Sequence, residues 1–384
     1  MAIDRRQALR LLASGLGASF WSRGAGAGRR KHRYLSAGEA ATPGRFRVAA
    51  FSESGEALFD CALPARGHAF AISPNGRLAV HFARRPGEFA LALDIDRGTV
   101  SHSIEPPQDR RFQGHGVFDR SGRLLYATEN DFEAGCGIIG IYDARDGFRR
   151  LGELSSGGVG PHDIRLLPDG RTLAVANGGI HTHPDYPRVK LNLPAMQPSL
   201  CFIDRKMGAL RRELGLGAGL RQLSIRHLAV GGEGWIAVAM QYEGPRGDRV
   251  PLVALCGADG PLRPLEAPPS ILRAMKQYCG DVCFDPAGRS FAVSAPRGNI
   301  VTVWDGANGR FLHSARLADC CGLAPGRRPG EFLVSSGQDG IFLLDGHART
   351  LRRLAAGFPD SRRWDNHLAT TGSETCMPQP GCWM

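Results

Sequence analysis

The feature that most constrains the fold is a short phrase that returns about every fifty residues, four times with a histidine at its head. It runs Gly-His-Ala-Phe-Ala-Ile-Ser-Pro-Asn-Gly-Arg from Gly67 and Gly-His-Gly-Val-Phe-Asp-Arg-Ser-Gly-Arg from Gly114. It returns as Pro-His-Asp-Ile-Arg-Leu-Leu-Pro-Asp-Gly-Arg from Pro161, and as Arg-His-Leu-Ala-Val from Arg226. A fixed period of this length means stacked supersecondary units, each burying its apolar face against the next. Residues at the same phase then occupy equivalent places in space.

Each unit divides into four apolar runs of strand length. Asn75-Gly76 and Asp169-Gly170 are hairpin signals between the first and second runs. The third runs end in Asp94, Asp143, Asp204, Asp305 and Asp345, each before a glycine-containing turn, as suits a turn-initiating carboxylate. Four short strands at this period predict a β-propeller blade. Units begin at His68, His115, His162 and His227, near Asp281, near Cys321 and at His367. The last has room for about two strands, and 46–63 supplies two further runs. The expectation is an all-β, seven-bladed propeller of WD40/YVTN type over 45–384, its last blade closed by N-terminal strands that leave no long open edge.

Asp4-Arg5-Arg6, an apolar run from Leu11 to Trp21 and small residues to Gly28 form a signal peptide over 1–28, too short to span a membrane. The paired arginines suit twin-arginine export. Residues 29–44 read as a linker, and the mature chain is expected to be periplasmic, with no integral membrane segment after processing. The net charge of +11 comes mostly from scattered arginines, not a concentrated stripe with aromatic platforms, which excludes a nucleic-acid face. The cysteines form no paired CxxC signature, so structural zinc is not expected. They are read as disulfides or inert buried thiols.

In a propeller the first strand of each blade lines the channel, so His68, His115, His162, His227 and His367 should ring one mouth. Two roles are open to them: hydrogen bonds to neighbouring blades, or ligation of copper, iron or zinc. A long insertion between the second and third strands of the third unit opens on the same face. It carries His181 and His183 among Asp185, Tyr186, Arg188 and Lys190, and long loops in compact folds are commonly functional. Corresponding loops supply Arg84-Arg85, Glu129-Asn130-Asp131, Gln241-Tyr242-Glu243 and Arg297. Together they describe a polar mouth suited to a small anionic or metal-bearing ligand. No GxSxG, Walker, HExxH or CxxCH motif is present.

The phrases Thr128–Asp131, Gly160–Asp163, Asn177–Pro184, Lys190–Leu193, Ser224–Leu228, Pro296–Gly298 and Trp364–Leu368 resemble a family of exported bacterial proteins, domain of unknown function 1513, across nearly all of the mature chain. The resemblance implies a periplasmic propeller, often encoded beside imelysin-type iron-regulated proteins and a di-haem oxidoreductase-like protein. It brings no established activity. Periplasmic iron-uptake or di-haem proteins are therefore expected partners. The candidate metal ligands are His68, His115, His162, His181, His183, His227 and His367. The candidate ligand contacts are Arg226, Arg297, Asn177, Asn366, Glu129, Asp131 and Tyr242. Three functions follow as expectations: a binding or accessory protein in iron or other metal handling; a metal-dependent oxidase or lactonase-like hydrolase using the same mouth; or a protein-interaction scaffold.

Overall fold

A computed structural model describes residues 32–186, 189–338, 340–354, 357 and 362–372. The signal-peptide expectation, Arg188, Cys376 and Cys382 lie outside them. The described residues form seven four-stranded antiparallel sheets arranged in a ring. The first blade runs Gly67–Ile72, Leu78–Ala83, Ala90–Asp94 and Thr99–Ile104 from the axis outward. The next five repeat that order, beginning with the inner strands Arg110–Phe118, Pro161–Leu166, Leu223–Val230, Asp281–Phe284 and Cys320–Pro325.

Sequence pattern follows position in the blade. Strands flanked by neighbouring blades are buried throughout, as in Thr172–Asn177 and Ser199–Asp204. The outermost strand Arg149–Ser155 alternates exposed and half-buried residues with the period of two that a one-sided strand requires. Apolar clusters lie between blades: Phe82, Phe112, Phe118 and Tyr142 join the first blade to the second. Each such side chain contributes about 1.5–3 kcal/mol on full burial. The aspartates ending the third strands cap their turns. Asp94 Oδ1 accepts the Asp96 and Arg97 amides at 3.0 and 2.9 Å, and Asp204, Asp305 and Asp345 do the same in their blades.

Closure of the ring differs from expectation in one respect. Among the described residues, the C-terminal part contributes a single strand to the seventh blade, the innermost Arg363–Thr370; Arg33–Glu39, Phe46–Ser52 and Ala57–Leu63 follow outward. Much of the expected linker over 29–44 is thus a buried second strand, and the propeller begins before residue 45. Its small residues have a packing reason. A Cβ on Gly38 would lie 2.7 Å from the Arg363 carbonyl oxygen, and Ser36 Oγ donates to the His367 carbonyl at 2.8 Å.

Candidate metal centre at the channel mouth

Pairing between first and second strands is interrupted in six blades, each time at the repeat phase. The register shifts between Gly67 and Phe70, Phe112 and Gly116, Pro161 and Asp163, Ile225 and His227, and Cys320 and Leu323. In the seventh blade it shifts where residues 365–367 oppose Ala37. A bulge bends a strand and re-aims a side chain. Here the bulges lie at or beside His68, His115, His162, His227 and His367. The fifth blade pairs without interruption and carries Asp281 instead.

The five imidazoles converge. Ring centroids lie 4.6 Å apart for His68–His367 and 4.8 Å for each of His115–His162, His115–His367, His162–His227 and His227–His367. His68 stands 4.9 Å from His115 and 5.2 Å from His162. Two triads, His68–His115–His162 and His115–His227–His367, each bring one nitrogen per ring within 4.8 Å of the others. The Nε2 atoms of His68 and His162 are 3.4 Å apart. Two nitrogens bound tetrahedrally at about 2.0–2.1 Å would be about 3.3 Å apart. The packing is tight enough that Gly114, at φ +100°, admits no side chain: a Cβ there would lie 2.3 Å from His68 Cδ2.

Two aspartates orient the cluster. His115 Nδ1 lies 3.2 Å from Asp163 Oδ1, and His367 Nδ1 lies 3.2 Å from Asp281 Oδ1. Each carboxylate also accepts a backbone amide of the following blade, Leu228 for Asp163 at 2.9 Å and Leu323 for Asp281 at 2.8 Å. With Nδ1–H donated, Nε2 carries the lone pair, the carboxylate–histidine arrangement that fixes a metal-ligating tautomer. His115 Nε2, His367 Nε2 and both nitrogens of His227 are buried without a hydrogen-bond partner among the described residues. Each such orphan costs about 1–3 kcal/mol, and a cation shared by the three rings would satisfy one nitrogen of each.

Four of the rings are held in the form a metal needs. Burial pushes the His68, His162 and His227 pKa values well below the ordinary one; repulsion from His367 adds to this at His68 and His227, and from Arg226 at His162. Burial also lowers His115, against the opposing pull of Asp163. Burial alone would raise Asp163, but Arg165 and then His115 hold it well below the usual carboxylate range. Neutral imidazoles backed by a carboxylate anion can accept a cation without first losing protons.

A cavity of about 250 Å³ opens over His68, His162 and His227. Its walls carry Arg226, Arg297, Tyr242 and Asn366 from the expected ligand contacts, with Arg84, Arg85, Lys190 and Glu243. Gln113 and Tyr278 also line it; neither was singled out in the sequence, and only the adjoining phrases at Gly114 and Gly280 hint at them. Arg297 lies over the Tyr278 ring, 4.0 Å from its centroid, and Lys190 pairs with Glu243.

Other candidates stand apart. His181 Nε2 lies 3.2 Å from the Phe132 carbonyl, and His183 packs edge-on against the Phe132 ring with Nε2 3.5 Å from Glu133. Both fix the insertion to the second blade and belong to neither triad. Asn177 is fully buried, exchanging hydrogen bonds with Ser156 at 2.8 and 2.9 Å. Glu129 lies beneath Tyr142 Oη and Arg150 at 2.5 and 2.7 Å, and Asp131 pairs with Arg110 at 2.9 Å. These three do not line the cavity; their polarity serves contacts within and between blades. Cys279, Cys283, Cys320 and Cys321 are buried free thiols, and burial raises the pKa of each.

The fold is widely shared. Hydrazine synthase of Kuenenia stuttgartiensis superposes with a TM-score of 0.59 at 13% identity, over 81% of this chain and 92% of that one, a likeness of fold. No curated protein matches the chain. The profile of one family, described as a protein of unknown function, matches residues 61–371.

Proposed function

We propose, for a chain that belongs to the DUF1513 family, that the convergent histidines hold a transition-metal ion and that the protein serves periplasmic metal handling as a binding or accessory propeller. The observation that carries this is the set of buried imidazole nitrogens without partners, aimed together and backed by Asp163 and Asp281. A plain structural role for the histidines would leave those nitrogens unsatisfied. An all-imidazole set suits copper, zinc or iron better than magnesium or calcium, which take oxygen ligands. The N-terminal sequence supports export, and the periplasm is where such a protein would meet iron-uptake or di-haem partners.

A metal-dependent oxidase or hydrolase is the second reading, favoured by the cavity directly above the imidazoles. Catalytic metal sites keep a position open to water or substrate.

The test is metal analysis of protein recovered from the periplasm, then after chelator dialysis and reloading with Cu(II), Zn(II) or Fe(II). About one ion per chain, lost in a His115→Ala/His227→Ala double variant that still folds, is the expected result. No uptake by wild type, or equal uptake by the variant, would overturn the metal reading. Turnover on a substrate panel that requires the loaded ion would replace the accessory role with the enzymatic one.

A further inference from the structure

The walls above the histidines have a charge imbalance that a metal at the cluster does not relieve. Arg84, Arg85, Arg226, Arg297 and Lys190 face the cavity with Glu243 as its one carboxylate, and Lys190 neutralises that one. Arg226 is half-buried at the bulge of the fourth inner strand, immediately before His227. Its Nε is buried with no acceptor, and no ion pair reaches its guanidinium among the described residues.

Burying a charge without a counter-charge costs far more than burying a paired one. Arginines gathered without carboxylates mark planar oxyanion recognition, because the guanidinium fork offers two parallel donors. The Gln113 and Asn366 side-chain amides and the Tyr278 hydroxyl face the same space without protein partners among the described residues, adding neutral groups for orientation. Ile180 is the single aliphatic residue of the lining. The volume lies just below the roughly 300 Å³ at which small-molecule sites begin.

We propose that this cavity binds a small oxyanion carrying two or more negative charges, anchored on Arg226 and closed over by Arg297. Its place as a co-ligand of the metal rests on the reading above; its charge and size rest on the cavity walls alone. Bound there, the anion pairs with the Arg226 guanidinium, balances the cationic rim and presents oxygen to whatever the imidazoles hold.

The experiment is calorimetric titration of chelator-treated protein with citrate and with inorganic phosphate, using acetate as the singly charged control, at low and at high salt. Citrate or phosphate should bind at least about tenfold more tightly than acetate, the difference one or two extra charge-assisted hydrogen bonds provide, and should weaken as salt rises. Arg226→Gln should weaken binding at least about tenfold. Arg297→Gln, which leaves the inner strand untouched, provides a second variant should the first fail to fold, and should also weaken binding. Arg352→Gln, on the outer strand of the sixth blade, should bind as wild type does. Failure of both multiply charged anions to bind, or binding unchanged in Arg226→Gln and Arg297→Gln, would overturn the proposal. Metal uptake without anion binding would sink this inference and leave the metal reading standing. Arginine-dependent anion binding without metal uptake would do the reverse.

Discussion

Asp163 ties three blades together, and replacing it with asparagine tests how much that tie contributes. Its Oδ1 accepts the Ile164 amide at 2.8 Å and faces His115 Nδ1 at 3.2 Å; its Oδ2 accepts the Leu228 amide at 2.9 Å and faces Arg165 at 3.2 Å. Asn has one acceptor oxygen, so in either orientation its NH₂ confronts two donors. The residue is 1% exposed, so solvent cannot compensate. Losing two hydrogen bonds to a charged acceptor, or breaking a buried pair, costs about 3–5 kcal/mol. With an unfolding entropy near 2.1 cal/mol/K per residue over 384 residues, this corresponds to a fall in Tm of about 4–6 °C. The Asp163 pKa is depressed in the fold. Its contribution is therefore complete above the unfolded value near 3.9 and lost only as pH falls towards the folded one. The deficit of Asp163→Asn measured by calorimetry should be the same at pH 5 and pH 8. A variant melting within about 1 °C of wild type, or a deficit that shrinks between pH 8 and pH 5, would refute the account.

Three further outcomes follow from the same contacts. In chelator-treated protein, His68, His162 and His227 stay neutral in the fold while the unfolded chain takes up protons below about pH 6.5; the urea midpoint should fall from pH 7.5 to pH 5, and a flat profile would contradict the depressed pKa values. Gly114→Ala places a side chain at φ +100° and 2.3 Å from His68 Cδ2, so it should cost about 1–3 kcal/mol in backbone strain and displace His68; unchanged melting and metal content would show the cluster to be looser than described. Glu129→Gln keeps the Tyr142 hydrogen bond but weakens the buried pair with Arg150, lowering stability by about 1–3 kcal/mol; metal content should be unaffected, and its loss would return Glu129 to the site.

The blade count was legible because the repeat phrase fixes strand, turn and phase together, and the same phrase located the five histidines. The limits are equally physical. Arg33–Glu39 carries no part of the phrase, and its small residues, demanded by contact with residues 362 and 363, look like linker composition. Asn177, Glu129 and Asp131 are polar residues at strand ends beside the mouth; sequence cannot tell whether such a group turns to the cavity or to the neighbouring strand. Asp163 was visible only as the residue after His162. Its partnerships with His115 of the second blade and the Leu228 amide of the fourth belong to the assembled ring. The bulges that aim the histidines likewise have no pattern in one strand alone, since a bulge is a mismatch between two.

The strand Arg363–Thr370 is the one that closes the ring. It pairs with Arg33–Glu39, more than three hundred residues earlier, and the ring has a gap until it arrives. His367 lies on it. Six blades can therefore form while the cluster still lacks one of its five rings and Asp281 lacks its imidazole. An ion bridging His367 to His115 and His227 would fasten the last strand to blades two and four, so that occupancy at the axis opposes opening at the rim. Ligand binding and ring closure would then share one equilibrium, and release of the ion would go together with loosening of the strand that seals the circle.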